Sequence, residues 1–133
     1  MKYTVEALLL ADNIYQDVSS RKFILSGLFH QINVPTLPFM LTSSFGIFVS
    51  ISGFEGEIQL KLTIIDKKSK TPKTATSSFE MKSVDKNIPV SFGLEVPPFE
   101  IQNVGLYGID LEINEELVHS APLLINKIEM IHE

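Results

Sequence analysis

Three histidines are the obvious candidates for metal binding or proton transfer, because imidazole is a common metal ligand and titrates near neutral pH. They are His30, His119 and His132. No two of them stand at a metal-ligand spacing such as His-x-His or His-Glu-x-x-His. The chain also has no cysteine that could supply thiolate ligands or a thiol nucleophile. We therefore expect no metal centre and no cofactor, and interpret His30 as an ordinary strand histidine.

Hydroxyl and carboxylate groups are plentiful, but their spacing does not match a catalytic set. The chain has no Gly-x-Ser-x-Gly elbow, the turn that exposes the nucleophile of many serine hydrolases. A glycosidase would need two carboxylates about 5 to 10 Å apart across a cleft. Asp12 with Asp17, or Asp110 with Glu112, are the pairs that could approach this geometry. Alternating acids are more typical of a solvated strand face, so we expect no catalytic residue and no enzyme activity.

Acids in the predicted turns leave a calcium site as an alternative. Calcium takes roughly six to eight oxygen ligands, and sandwich domains of the C2 type gather several aspartates on loops at one end. Here the closest pair is Asp85 with Asn87, which also fits a simple polar turn. A saccharide site is the other form of this alternative, although the chain lacks Trp. The loop acids are spread along the chain: Asp17, Glu55, Asp66, Asp85, Glu115 and Glu116.

Two surface features indicate a possible partner surface. Four lysines fall within seven positions and, with Asp66, give their loop a net charge of +3 in a chain of −5. Such a loop can dock an acidic partner, or it can be a solvated turn whose lysines protect an edge strand. Phe48 interrupts the polar face of its strand, so it either packs beneath a loop or joins an exposed patch. The candidate residues are Phe48, Lys67, Lys68, Lys70 and Lys73.

Strands must position all of these residues, because apolar and polar side chains alternate along most of the chain. Ile47, Val49 and Ile51, for example, alternate with Ser50 and Ser52, and a period of two residues predicts an amphipathic strand. We expect an all-β fold, a two-sheet antiparallel immunoglobulin-like or C2-like β-sandwich of about eight strands, as one domain over 1–133. The predicted strands are 3–16, 22–34, 39–52, 57–65, 74–81, 88–96, 107–113 and 117–125.

The first two predicted strands are expected to form a long hairpin. Residues 3–16 also fit a helical spacing, but the short polar stretch 17–21 leads directly into 22–34 and favours the hairpin. Both faces of the second run are apolar, which predicts a central strand, with Gly27 at a bulge or a close backbone approach. Pro122 predicts an edge or a bulge in the last strand, because proline cannot donate a ladder hydrogen bond.

Charge and hydropathy narrow the classes of partner and location. A chain of 133 residues with a net charge of −5 lacks the basic footprint of nucleic-acid binders, so we expect no nucleic-acid partner. No apolar stretch approaches the roughly 20 residues of a membrane-spanning helix, so we expect no membrane insertion. Glu6 and Asp12 interrupt the apolar start of the chain, so we expect no secretory leader and a cytoplasmic location.

Several short motifs carry a family resemblance. They are Ala7-Leu8-Leu9-Leu10-Ala11-Asp12, Lys22-Phe23-Ile24-Leu25-Ser26-Gly27-Leu28-Phe29, Pro98-Phe99, Gly105-Leu106-Tyr107, Ile113-Asn114-Glu115-Glu116-Leu117 and Pro122-Leu123. With these motifs the chain resembles a small bacterial family of uncharacterised β-sandwich domains. The resemblance implies the fold and no activity or site.

These observations together predict a binding protein without catalytic activity. Sheet edges offer free backbone donors and acceptors, so we expect a non-catalytic interaction module that acts through sheet edges or loops. Its partner is expected to be another protein or a further copy in a homo-oligomer. The alternative is a calcium- or saccharide-binding sandwich that uses loop carboxylates.

Overall fold

The computed structural model describes residues 3–42, 44–75 and 78–128, without the side chains of 71–75. Within this part the chain forms twelve strands, and it contains no helix long and apolar enough to cross a membrane. The strands are β1 Thr4–Gln16, β2 Phe23–Phe29, β3 Gln31–Val34, β4 Phe39–Leu41, β5 Gly46–Ser52, β6 Gly56–Asp66, β7 Thr71–Ala75, β8 Phe79–Ser83, β9 Val90–Glu95, β10 Phe99–Ile101, β11 Gly105–Ile113 and β12 Glu116–Lys127.

The described strands form three sheets. Sheet A has four strands in the order β2-β1-β5-β9, and sheet B has six, in the order β3-β12-β11-β6-β7 with β8 also paired to β6. A third sheet joins β10 to β4. Neighbouring strands are antiparallel except for β3, which runs parallel to β12. The all-β prediction is confirmed, whereas the expected eight antiparallel strands differ from the twelve observed.

One cluster of buried side chains, which come from strands of both sheet A and sheet B, forms the core. Alternate residues of β5, β6 and β11 point into it, as a two-residue period requires. Full burial of one such aliphatic side chain stabilises the fold by about 1.5 to 3 kcal/mol. Among the large side chains that are less than 2% exposed are Ile47, Ile51, Leu60, Leu62, Ile109, Leu111 and Ile113.

The predicted strand 22–34 is divided between two sheets. Residues Phe23–Phe29 form β2 at the edge of sheet A, and Gln31–Val34 form β3 at the edge of sheet B. The chain passes from one sheet to the other at His30. The prediction of a central strand is therefore wrong. Both faces of β2 are apolar because one packs on the protein and the other is exposed, with Ile24 at 53% and Leu28 at 61%.

Two other predicted strands are also divided. The run 39–52 becomes β4, which pairs with β10, and β5, which lies in the middle of sheet A. The run 74–81 overlaps β7 and β8, which both pair with β6. The sequence gives no signal for β10, since it is three residues long and follows Pro97 and Pro98.

The serine face of β5 is covered instead of wet. Ser50 and Ser52 are 7% and 9% exposed, because β5 lies between β1 and β9. Each hydroxyl has a partner on a neighbouring strand: Ser52 Oγ donates to Glu6 Oε1 at 2.6 Å, and Ser91 Oγ donates to Ser50 Oγ at 2.8 Å. These hydrogen bonds offset the loss of hydration of the buried hydroxyls.

Candidate interaction surface

β1 and β2 extend beyond sheet A as a two-stranded arm. β1 pairs with β5 from Thr4 to Ala11 and continues to pair with β2 as far as Gln16. The turn between the strands is closed by the Asp17 amide, which donates to the Lys22 carbonyl at 2.8 Å. Residues 12–27 are called the arm below.

One face of the arm packs on the outer surface of sheet A. Ile14 lies against the backbone of Gly46 and Gly93, where a Cβ at Gly93 would come within 2.7 Å of Ile14 Cγ2. Phe23 contacts Phe48 edge to face, with ring centroids 5.2 Å apart. Phe48, the aromatic residue of the predicted partner surface, is therefore half-buried beneath the arm.

The opposite face of the arm presents large apolar side chains to solvent. Tyr15 and Ile24 are paired across the two strands and are 54% and 53% exposed. Leu28, which pairs with Ala11, is 61% exposed, and Leu9 is 39% exposed two residues before Ala11. Residues opposite each other in a sheet share a face, as do residues two apart in one strand. We call the set Leu9, Tyr15, Ile24 and Leu28, which the exposed polar pair Asn13 and Ser26 interrupts, the apolar stripe.

The outer edge of β2 lacks two of the usual protections against strand pairing, charged residues and proline. Natural edge strands are commonly protected by charged residues, proline or bulges. β8 has Glu80 and Lys82, β7 has Pro72 and Lys73, and β9 ends at Glu95. The seven residues of β2 include no charged residue and no proline, and only Gly27, at φ 74°, interrupts their extended backbone.

We call the loop that carries Lys67, Lys68, Lys70 and Lys73 the lysine loop. Part of its positive charge is neutralised by a carboxylate of sheet B. Lys67 Nζ lies 2.8 Å from Asp110 Oδ1, and the same oxygen accepts a hydrogen bond from Ser120 Oγ at 2.6 Å. Lys67 is therefore engaged with the face of sheet B. A serine that donates to a carboxylate already paired with lysine has no neutral base beside it, so this arrangement holds the turn and does not activate the serine.

The other predicted lysines follow Lys67 along the chain. Lys68 and Lys70 are exposed in the turn after β6, and Lys73 lies in β7 with its side chain outside the described residues. Asp66, only 3% exposed, accepts the Lys68 amide at 3.0 Å. Its carboxylate shapes the turn and is not available on the loop surface.

The two described histidines lie at neighbouring strands of sheet B, with His30 just before β3 and His119 on β12. His30 is exposed between β2 and β3, and its carbonyl accepts the Leu124 amide at 2.9 Å. His119 is exposed on β12, and His132 lies outside the described residues. Within 3–42, 44–75 and 78–128, no group of three or more histidine, aspartate or glutamate side chains is placed to hold a metal ion.

Three of the six loop acids, Asp17, Asp66 and Asp85, stabilise the turns in which they lie. Asp17 Oδ2 accepts the Ser20 amide at 2.7 Å, and Asp85 Oδ1 accepts the Asn87 amide at 2.9 Å. Hydrogen bonds from the Ser20 amide and hydroxyl lower the pKa of the Asp17 carboxyl. Asp12, the other member of that predicted pair, lies on β1 against Gly27, away from the turn.

Tyr107 is a buried polar residue that belongs to none of the catalytic motifs considered from the sequence. It is fully buried in β11, and its hydroxyl donates to the Asn103 carbonyl at 2.7 Å. Burial, followed by the negative charge of Asp66, raises the pKa of the Tyr107 phenol. The Gly-x-Tyr pattern is the sequence signal for this residue, and its role is to hold the segment that leads into β11.

Sequence reasoning also missed the apolar stripe. The signal was present, since Tyr15, Ile24 and Leu28 are large apolar residues on predicted strands. For Ile24 and Leu28 the pattern predicts a central strand instead, because sequence alone does not show which face of an apolar strand is covered.

A comparison with protein families supports the resemblance noted from the short motifs. A family model described as a family of unknown function, DUF6941, matches residues 6–126. No curated protein matches the sequence. The matched residues include the whole arm and most of β12. The resemblance to a family of unknown function is confirmed, and the chain belongs to the DUF6941 family.

Proposed function

We propose that this chain is a non-catalytic protein-interaction module that binds its partner through the arm and the free edge of β2. The observation that carries this proposal is the apolar stripe on an edge strand without charged residues or proline. Ile24 and Leu28 are more than half exposed there, and burial of the exposed part of each would contribute about 1 kcal/mol to binding.

The proposed mode of binding is addition of a strand. An extended segment of the partner would lie beside β2 and bond to the backbone groups that point away from β1. Backbone bonds supply affinity in this mode, and alternate side chains supply specificity. The partner segment should therefore have apolar residues at every second position, facing Ile24 and Leu28.

We also propose that sheets A and B are the two layers of an immunoglobulin-like or C2-like sandwich. The two sheets share one hydrophobic core, and their edges approach at Phe79 and Phe92, whose ring centroids are 4.4 Å apart. The bond from Tyr107 to the carbonyl four residues earlier is similar to the tyrosine corner of immunoglobulin-like domains. In this arrangement the arm projects from one layer.

A displayed library of random ten-residue peptides tests the proposed function. The purified chain is expected to select peptides with alternating apolar residues, and Ile24→Lys or Leu28→Lys should weaken their binding about tenfold or more. Val84→Lys is the matched control, because Val84 is 97% exposed in the turn after β8. Selected peptides that bind both β2 variants as tightly as the unchanged chain would show that the surface is elsewhere.

A further inference from the structure

The sequence of β2 is nearly the same in both directions. Ser26 is at the centre of Phe23-Ile24-Leu25-Ser26-Gly27-Leu28-Phe29. The residues three positions away on either side are both Phe, and those two positions away are Ile24 and Leu28. In two antiparallel copies of this strand, a two-fold axis at Ser26 would therefore place Phe opposite Phe and Ile24 opposite Leu28.

We propose that the segment that adds to β2 is β2 of a second copy of the same chain, related by a two-fold axis at Ser26. This inference rests on the proposed function, because it names the partner of the same edge. Two four-stranded sheets A would then join into one continuous sheet. Such an interface is isologous, so it closes at two copies and leaves no free β2 edge.

The side chains fit this pairing on both faces. On the exposed face, Ile24 of each copy would contact Leu28 of the other, which covers side chains that are 53% and 61% exposed in the single chain. On the opposite face, Leu25 would lie across from Gly27, which has no side chain to compete for the space. A cross-strand pair of large apolar residues stabilises a sheet by about 0.2 to 1 kcal/mol.

Charge does not oppose the pairing at this edge. The chain has a net charge of −5, but none of its charged residues lies in β2. Just outside the strand, Lys22 would face His30 of the other copy. Gly27, at φ 74°, would interrupt the ladder once in each strand, at positions related by the axis.

A single cysteine at the axis tests the geometry. The chain has no cysteine of its own, so a disulfide formed by Ser26→Cys reports only this contact. Directly opposed residues have Cα atoms about 4.5 to 5.5 Å apart, which is within the range of a disulfide. We expect mild oxidation to give a covalent dimer of Ser26→Cys. Ser20→Cys, in the exposed turn of the arm, is the control and should remain monomeric.

A pair of variants tests the register. Ile24→Cys alone and Leu28→Cys alone are each expected to form few disulfides. With the axis at Ser26, residue 24 of one copy lies four positions along the strand from residue 24 of the other, a separation of roughly 13 Å, and the same holds for residue 28. An equimolar mixture should form the mixed disulfide, because the axis places these two positions opposite each other. If each separate variant formed a disulfide with itself and the equimolar mixture formed no mixed disulfide, an axis at Ser26 would be contradicted.

Analytical ultracentrifugation of the full chain completes the test. The unchanged chain should dimerise with increasing concentration, and Ile24→Lys should raise the dissociation constant about tenfold or more, whereas Val84→Lys should not. A monomer at all concentrations, with no Ser26→Cys disulfide, would overturn the self-pairing. If arm-dependent peptide binding persists in that monomer, the proposed function stands without it; if peptide binding is also absent, both are wrong.

Discussion

Lys67 Nζ lies 2.8 Å from Asp110 Oδ1, and the lysine side chain reaches this oxygen by crossing the backbone of Gly108. A Cβ at position 108 would come within 2.8 Å of Ser120 Oγ and 2.9 Å of Lys67 Nζ. The ion pair therefore depends on a glycine, in the middle of β11, that leaves room for the side chain. It ties the turn after β6 to the outer face of sheet B.

Gly108→Ala should displace Lys67 and destabilise the protein by about 1 kcal/mol, since the added methyl group occupies the path of the lysine. The free energy of unfolding in urea measures this cost. In a Lys67→Ala background the same change should cost about 0.5 kcal/mol less, which a double-mutant cycle detects.

The exposed ion pair of Glu57 with Lys82 provides the control for this experiment. Its side chains are 54% and 69% exposed, and a pair of this kind contributes little in water. Glu57→Gln should change the free energy of unfolding by less than about 0.5 kcal/mol. An equal cost of Gly108→Ala in both backgrounds would mean that Lys67 is not the obstacle.

Tyr107 should make stability depend on pH in the alkaline range. Burial and the charge of Asp66 raise its pKa in the native state, whereas an unfolded tyrosine ionises near pH 10. The stability that the neutral phenol contributes is fully present below about pH 10 and is lost as pH rises through the higher native pKa. The difference in unfolding free energy between the unchanged chain and Tyr107→Phe should therefore shrink above about pH 10.

At neutral pH, Tyr107→Phe should cost about 1 kcal/mol, because the Asn103 carbonyl loses its hydrogen-bond donor. Tyr15→Phe is the control for removal of a phenol hydroxyl, since Tyr15 is 54% exposed on the arm. A difference between the unchanged chain and Tyr107→Phe that stays constant from about pH 8 to 11 would contradict this explanation.

The strands that local alternation predicts best are those in the middle of the sheets. β6 and β11 follow their predicted ranges closely because one face of each is buried, so the two-residue period is clear in the sequence. The division of residues 22–34 at His30 could not be predicted in the same way. It depends on pairing of β3 with β12, about ninety residues later in the chain, and local propensity carries little information on such long-range pairing.

The candidate surface was predictable only in part. Phe48 was recognised as an apolar residue on a polar face, but its partner Phe23 lies on another strand and nothing local links them. The lysine loop was recognised from its charge, whereas the engagement of Lys67 by Asp110 joins residues 43 positions apart. Edge position and exposure are properties of the assembled sheets, which is why the apolar stripe could not be identified beforehand.

Gly93→Ala should loosen the arm from sheet A. The new methyl group would lie 2.7 Å from Ile14 Cγ2, which is too close for a carbon–carbon contact. Trypsin cleavage after Arg21 and Lys22, in the exposed turn of the arm, should become several-fold faster because the arm opens more often. Mass spectrometry identifies the cleaved bonds.

Truncation of Ile14 provides the matched background. Ile14→Ala removes the atoms that the new methyl group would contact, so Gly93→Ala should add little to the cleavage rate in that background. If Gly93→Ala increased the cleavage rate by the same factor in both backgrounds, its effect would not arise from the contact with Ile14.

Pro122 should be tolerated on β12, whereas a proline one residue earlier should not. The Leu124 and Ile128 amides donate towards β3, to the carbonyls of His30 and Val34 at 2.9 Å. Backbone amides point to alternate sides along a strand, so the nitrogen of Pro122 points to the β3 side of β12, as the Leu124 amide does. The pairing of β12 with β3 begins only at Leu124, so no described strand pairs with residue 122 on that side.

The amide of Ala121 points instead towards β11. Ala121→Pro should therefore remove a ladder bond and leave a buried acceptor without its donor, which should destabilise the protein by about 1 to 3 kcal/mol, whereas Pro122→Ala should change the free energy of unfolding by less than about 1 kcal/mol. Urea unfolding measures both. If Pro122→Ala lowered the free energy of unfolding strongly and Ala121→Pro lowered it little, the amide of residue 122 and not that of residue 121 would be the one that points towards β11.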